Sequence, residues 1–171
     1  MTDHAATLEW LGTGSAALDA ILGGGIPAQS VTVVAGEPGS GKTVFTLQAL
    51  FHHARQGKKC LYFTTLSEPA LKVIRYMQLF SFFDARLIED RITFVDLGSA
   101  LRRDGAEKTL VQMLERVESF DQKVGLDSAK SAFKNIKCRY LVPGMRLSWF
   151  NSGGKLLASM LLIVDTRVVR N

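Results

Sequence analysis

The chain has 171 residues, 47% hydrophobic and 22% charged, with a formal net charge of +5, which suits one soluble globular domain with a real core. The start, Met1-Thr2-Asp3-His4, carries an acid and no apolar h-region, so no signal peptide is expected, and the most apolar run, Leu156 to Val164, is too short to span a bilayer. Cys60 and Cys138 stand at no metal or redox spacing and suit a reducing cytoplasm, with Cys60 expected to be buried packing in a strand.

In chain order, the first feature is Leu11-Gly12-Thr13-Gly14, followed by Leu18-Asp19 and then Leu22-Gly23-Gly24-Gly25-Ile26-Pro27. A glycine cluster by itself marks only a turn. Ser30-Val31-Thr32-Val33-Val34-Ala35 is a short, apolar, β-branched run that predicts a buried strand. It feeds Gly36-Glu37-Pro38-Gly39-Ser40-Gly41-Lys42-Thr43, a complete G-x-x-x-x-G-K-[ST] phosphate-binding loop. In such a loop the glycines let successive backbone N–H groups curl around an anionic phosphate chain. Lys42 supplies a point charge for the β- and γ-phosphates, and the Thr43 hydroxyl is set to ligate Mg²⁺. With Val44, the first residue beyond the motif, these positions form the expected nucleotide-binding set.

After the loop, Val44, Phe45, Leu47, Leu50, Phe51 and Ala54 give an apolar face at helical spacing that stops at Gly57, a C-cap signal. Strand, glycine loop and helix thus follow in the order that aims a helix N-terminus at phosphate. His52 and His53 have no partners at metal spacing, so surface or packing roles are expected of them. Lys59 to Thr65 reads as a second strand. Ser67-Glu68-Pro69 opens a helix with proline in its first turn, and Leu71, Ile74, Met77 and Phe80 recur every three residues as its expected core stripe. Arg91 to Asp96 is a third strand, Ala106 to Ser119 an amphipathic helix through Leu110, Leu114 and Val117, and Lys123 to Asp127 a fourth strand. This alternation predicts an α/β fold: a mostly parallel sheet with helices on both faces and its functional loops at the strand carboxyl ends.

Placed just upstream of a phosphate loop, the T-G…L-D…L-G-G-G-h-P lead-in resembles that of the KaiC-type branch of the RecA-like ATPases. The resemblance runs from about Leu11 to Ser131. It implies a RecA-like P-loop NTPase core, binding of ATP and Mg²⁺, and homo-oligomeric rings with nucleotide held between neighbouring subunits. Some members also phosphorylate their own Ser or Thr, but no acceptor is identifiable here. A Walker B carboxylate must end an apolar strand near the phosphate loop and hold the Mg²⁺ water shell. Asp127, in Val124-Gly125-Leu126-Asp127-Ser128, matches the family's strand-Asp-Ser order. Asp165, ending Leu161-Leu162-Ile163-Val164, is the alternative on hydrophobicity, although it falls where the family has its next core strand. Either Asp could instead be a turn or helix N-cap residue.

The family also carries two glutamates after the second strand that activate the attacking water. Leu66 and Ser67 occupy those positions, and Glu68, one residue further on, is the nearby carboxylate left as a general base. Its other reading is an acid favouring a helix N-terminus. Binding of ATP is therefore better supported by the sequence than its hydrolysis.

The charge is unevenly spread. Residues 1–127 carry 13 Lys or Arg against 15 acids, whereas residues 128–171 carry eight against one. Residues 1–131 read as the ATP-binding domain. For residues 132–171, where the family pattern is lost, three readings stay open: a divergent folded end, a truncated domain, or a stretch out of its ancestral frame. A basic end could contact nucleic acid, with Trp149-Phe150 near Arg146 as a stacking pair, although two aromatics are more often core. Three functions compete: a KaiC-like regulatory ATPase, a DNA-dependent recombinase-like ATPase, and a non-catalytic or incomplete nucleotide-binding module. No protein partner can be named, and no membrane association is expected.

Overall fold

The computed structural model describes residues 9–28, 30–64, 69–120, 146–152 and 155–165. The lead-in forms β1 (Trp10–Leu11), α1 (Ala16–Ile21) and β2 (Ile26–Pro27), with β1 and β2 paired as a small antiparallel ribbon. The Ser15 hydroxyl caps α1 by accepting from the Leu18 N–H. The Asp19 carboxylate accepts the Thr13 N–H at 2.7 Å, which ties the start of the lead-in to its helix.

The main body alternates strand and helix: β3 (Val31–Gly36), α2 (Lys42–Arg55), β4 (Lys59–Thr64), α3 (Ala70–Met77), β5 (Ile92–Asp96) and α4 (Gly98–Phe120). β6 (Arg146–Ser152) and β7 (Lys155–Asp165) complete a five-stranded sheet in the order β3-β7-β6-β4-β5. β3 with β7 and β4 with β5 are parallel pairs, while β6 is antiparallel to both β4 and β7. β3, β4, β5 and β7 consequently point the same way and end on one edge, with β6 alone reversed. The expected mostly parallel α/β sheet is present.

α2 ends as the sequence signals. Gly57 takes φ +82°, its N–H bonds the Ala54 carbonyl and the Lys58 N–H bonds the His53 carbonyl, the paired bonds of a Schellman cap. The helix buries Thr46, Leu47, Ala49, Leu50, Phe51, His53 and Ala54. Leu47, Ala49, Leu50, Phe51 and Ala54 pack with Cys60 and Tyr62 of β4, Ile92 of β5, and Leu11 and Ile26 of the lead-in in a single apolar cluster. Every residue from Cys60 to Thr64 is buried, as expected of an interior strand covered on both faces.

Three expectations need correction. β3 is not a fully buried strand: it stands at the sheet edge, and Val33 is 54% exposed among the described residues. The stripe Leu71, Ile74, Met77, Phe80 does not form one buried face. α3 buries Val73 and Met77 and leaves Leu71 73% exposed. A spacing of three drifts by about 60° per step around a helix, whereas the four-residue step from Val73 to Met77 stays on one face. The helix expected from Ala106 does begin there, parted from a first run at Gly98 by Gly105, a non-helical break with φ 77°, and it is its inward face that differs. Its buried residues include Thr109 and Met113, one position before the expected Leu110 and Leu114.

Candidate functional site: the phosphate loop and the strand carboxyl edge

The loop leaves β3 at Gly36 and enters α2 at Lys42. Gly39 and Gly41 both hold left-handed backbone, φ +83° and +85°, and no atom of the described residues lies within 4 Å of where a Cβ would stand. Only glycine takes that conformation at little cost, which is why the motif demands it at these turns. Gly41 is the N-cap of α2, and its carbonyl accepts the first helical bond, from the Phe45 N–H. The opening N–H groups of a helix have no intrahelical acceptors and carry the positive end of its dipole, so this is an anion-binding terminus.

Lys42 spans the loop from the helix side. Its Nζ donates to the Gly36 carbonyl at 2.9 Å, the Glu37 carbonyl at 2.7 Å and the Ser40 hydroxyl at 3.5 Å. A phosphate at the helix end would offer the same ammonium a charged acceptor, and charge-assisted bonds are about twice as strong as neutral ones. Thr43, the second residue of α2, is half-buried beside it. The donor set fits a nucleoside phosphate: left-handed glycine turns, a helix terminus and the Lys42 ammonium. It also fits Mg²⁺ carried in with the phosphates, because that ion takes one or two protein oxygens and leaves the rest to phosphate and water. No group of three or more His, Cys, Asp or Glu that could hold a metal alone occurs among the described residues.

The other predicted residues divide. Glu68, Leu66, Ser67 and Asp127 lie outside the described residues. Asp165 ends β7 directly beside the loop strand, its backbone in register with Gly36. Thr64 and Asp96 are register partners at the ends of β4 and β5 on the same edge. The Asp96 carboxylate accepts the Gly98 N–H at 2.7 Å and so starts α4. Sequence reasoning had given Asp96 no role, although an Asp closing an apolar strand just before a helix is a capping signal. Trp149 and Phe150 stand in β6, level with Leu61 and Cys60, inside the sheet rather than at its edge.

Both histidines serve packing. His52 carries the contact between α2 and the lead-in: a Cβ at Gly14 would lie 2.9 Å from the His52 Cβ, and Gly14 is left-handed at φ +83°. His53 is buried, and its Nδ1 lies 3.2 Å from the Lys58 ammonium. Burial, then the nearby Lys58 and His52, lower its pKa from 6.5 to about 4, so the ring is neutral at ordinary pH. Cys60 is buried as expected, and burial pushes its thiol up to about 12.

Comparison with known proteins is consistent with this geometry. The model of the KaiC ATPase family matches residues 11–137. The circadian clock oscillator protein KaiC of Prochlorococcus marinus subsp. pastoris is 31% identical over 139 residues, covering 76% of this chain and 27% of that protein. The DNA repair and recombination protein RadB of Methanothermobacter thermautotrophicus is 31% identical over 117 residues, covering 68% of this chain and 49% of that one. A UPF0273 protein of Thermotoga maritima is 34% identical over 97 residues, covering 56% and 40%. The chain thus spans between about a quarter and about half of the length of these relatives.

Proposed function

This chain belongs to the KaiC ATPase family, and we propose from that premise that it is a KaiC-like regulatory ATPase of the cytoplasm that binds ATP with Mg²⁺ through Gly36–Thr43 and hydrolyses it. The observation that carries the reading is the loop itself, with Gly39 and Gly41 left-handed and Lys42 reaching across it at the head of α2. Gly36 to Val44 wrap the phosphate chain, Lys42 pairs with the β- and γ-phosphates, and Thr43 offers its hydroxyl to the metal. The Walker B carboxylate is Asp127 by chain order and the following Ser128, with Asp165 as the alternative at the end of the strand beside Gly36. Mg²⁺ supplies neutralisation of phosphate charge when bound. Water attacks the γ-phosphate in line to give ADP and phosphate, and Glu68 is the residue assigned to orient that water and take its proton.

The resemblance favours a homo-oligomeric ring with nucleotide held between neighbouring copies. The segment from residue 132 is proposed to be a divergent end of the domain, since β6 and β7 pair into the sheet between β3 and β4.

The test is equilibrium binding of ATP to the wild type and to Lys42→Ala. The variant should bind at least about 100-fold more weakly, the scale of two charge-assisted bonds lost. Equal affinity would sink the reading. A second reading, a recombinase-like ATPase, is favoured by the similarity to RadB and by the basic end. It requires that single-stranded DNA stimulate phosphate release and that DNA binding fall steeply with salt.

A further inference from the structure

The outer side of α3 is apolar and cationic together. The helix buries Val73 and Met77, while Leu71 and Leu79 stand 73% and 78% exposed. Leu79 belongs to the closing turn, where its N–H bonds the Tyr76 carbonyl. A step of four residues turns a helix by about 40°, so Leu71, Arg75 and Leu79 form one stripe. Arg75 lies opposite the midpoint of Val73 and Met77, and the exposed Lys72 and Tyr76 border the stripe. No Asp or Glu occurs from Pro69 to Phe83. Exposed apolar side chains grouped in this way mark contact surfaces more often than solvated ones.

α4 carries the converse pattern. Its buried Thr109 and Met113 put Val111, 52% exposed, at the centre of the outward side. Glu107 and Glu115 stand four residues before and after Val111, both exposed, with Lys108 at the margin. The α4 stripe therefore reads Glu-Val-Glu where the α3 stripe reads Leu-Arg-Leu. Ridges of residues four apart are those that interdigitate most often between helices. Offset by one turn, these two bring Arg75 onto a glutamate and a leucine onto Val111 at once. The side chains of Lys72, Arg75, Glu107 and Glu115 have no partner among the described residues, whereas Asp84, Asp90 and Asp104 are each paired with a nearby arginine. Both stripes are exposed on the same molecule, so neither covers the other.

We propose that the Leu71-Arg75-Leu79 face of α3 docks on the Glu107-Val111-Glu115 face of α4 in a second copy of this chain. The charge complementarity of the two stripes names the occupant, since each offers what the other lacks. A contact between two different surfaces of identical copies is head-to-tail, and it propagates into a ring or a filament rather than stopping at a pair. The inference rests on the ring reading above and assigns it a pair of surfaces.

The test is sedimentation equilibrium of the full chain, with ATP and Mg²⁺ and without nucleotide. It compares wild type, Lys72→Glu/Arg75→Glu, Glu107→Lys/Glu115→Lys and an equal mixture of the two variants. The wild type should self-associate, less tightly as salt rises. Each variant alone sets like charges against each other and should associate at least about tenfold more weakly, with its thermal midpoint unchanged. The mixture should recover wild-type association, because alternating copies then meet only opposite charge. Arg75→Gln, which removes a charge without opposing it, should weaken association about two- to fivefold. Variants that associate like the wild type, or a mixture as weak as its parts, overturn the proposal and leave the ring reading standing. A wild type that is monomeric in both conditions overturns both. Its capture by vesicles of anionic phospholipid, lost in Lys72→Glu/Arg75→Glu, would then assign α3 to a lipid surface instead.

Discussion

Replacing Gly25 by alanine tests whether the glycine run before the phosphate loop is a packing device. Gly25 has φ +128°, and a Cβ there would overlap the backbone carbonyl of Leu11 on the paired strand. A backbone atom cannot rotate aside as a side chain can, so β1 and β2 must part. Parting them exposes Leu11 and Ile26, now 3% and 2% exposed. Each loses about 1.5–3 kcal/mol of burial, and any strain retained adds about 1–3 kcal/mol. Burial alone gives an expected loss of about 3–6 kcal/mol, a fall in thermal midpoint of about 6–24 °C for a domain of this size. Gly23→Ala is the matched control: φ is +74°, but among the described residues nothing lies within 4 Å of the added carbon. It should cost only the left-handed strain, about 1–2 kcal/mol. Urea unfolding and calorimetry of both variants measure the difference. Equal destabilisation would refute the argument from the Leu11 carbonyl, leaving conformational strain alone as the reason for glycine.

Two further outcomes follow from buried groups. The His53 pKa is about 4 in the fold against 6.5 unfolded, so below pH 6.5 the unfolded chain binds the extra proton. Stability is therefore full above pH 6.5 and falls towards pH 4, by at most about 3 kcal/mol. Unfolding measured between pH 7.5 and 5 should show this slope in the wild type and lose it in His53→Gln; an unchanged slope counts against a neutral buried ring. The Cys60 thiol, buried and pushed up to about 12, should resist a thiol reagent at pH 8 in a Cys138→Ser background and react fully in denaturant. Prompt reaction of the native protein would mean that β4 is open to solvent.

Much of the site was legible because its requirements are local. Gly39 and Gly41 are needed for their φ angles, Gly57 for the end of α2, and the apolar run before Gly36 for a strand; each follows from a few neighbouring residues. The lead-in glycines were recognised as a pattern, but their reason, contacts of Gly25 with Leu11 and of Gly14 with His52, lies across the fold. The stripe on α3 was misjudged because spacing alone does not say which side of a helix meets the sheet. Val73 and Met77 won that face through the direction in which α3 packs. His53 read as a surface or packing residue, and only its place beneath the lead-in made it a buried, neutral base.

By itself the sequence determined the phosphate loop, the strand before it, the helix after it and the family to which they belong, because backbone angles and short-range spacing are written residue by residue. Tertiary structure alone decided the strand order β3-β7-β6-β4-β5, with β6 reversed. It also put Asp165 level with Gly36 and Thr64 on the face that α2 covers. Those are pairings between residues up to about 130 positions apart. The ladder hydrogen bonds that fix them carry no side-chain code, so the partner of a strand is settled only when the whole sheet closes its backbone bonds around one core.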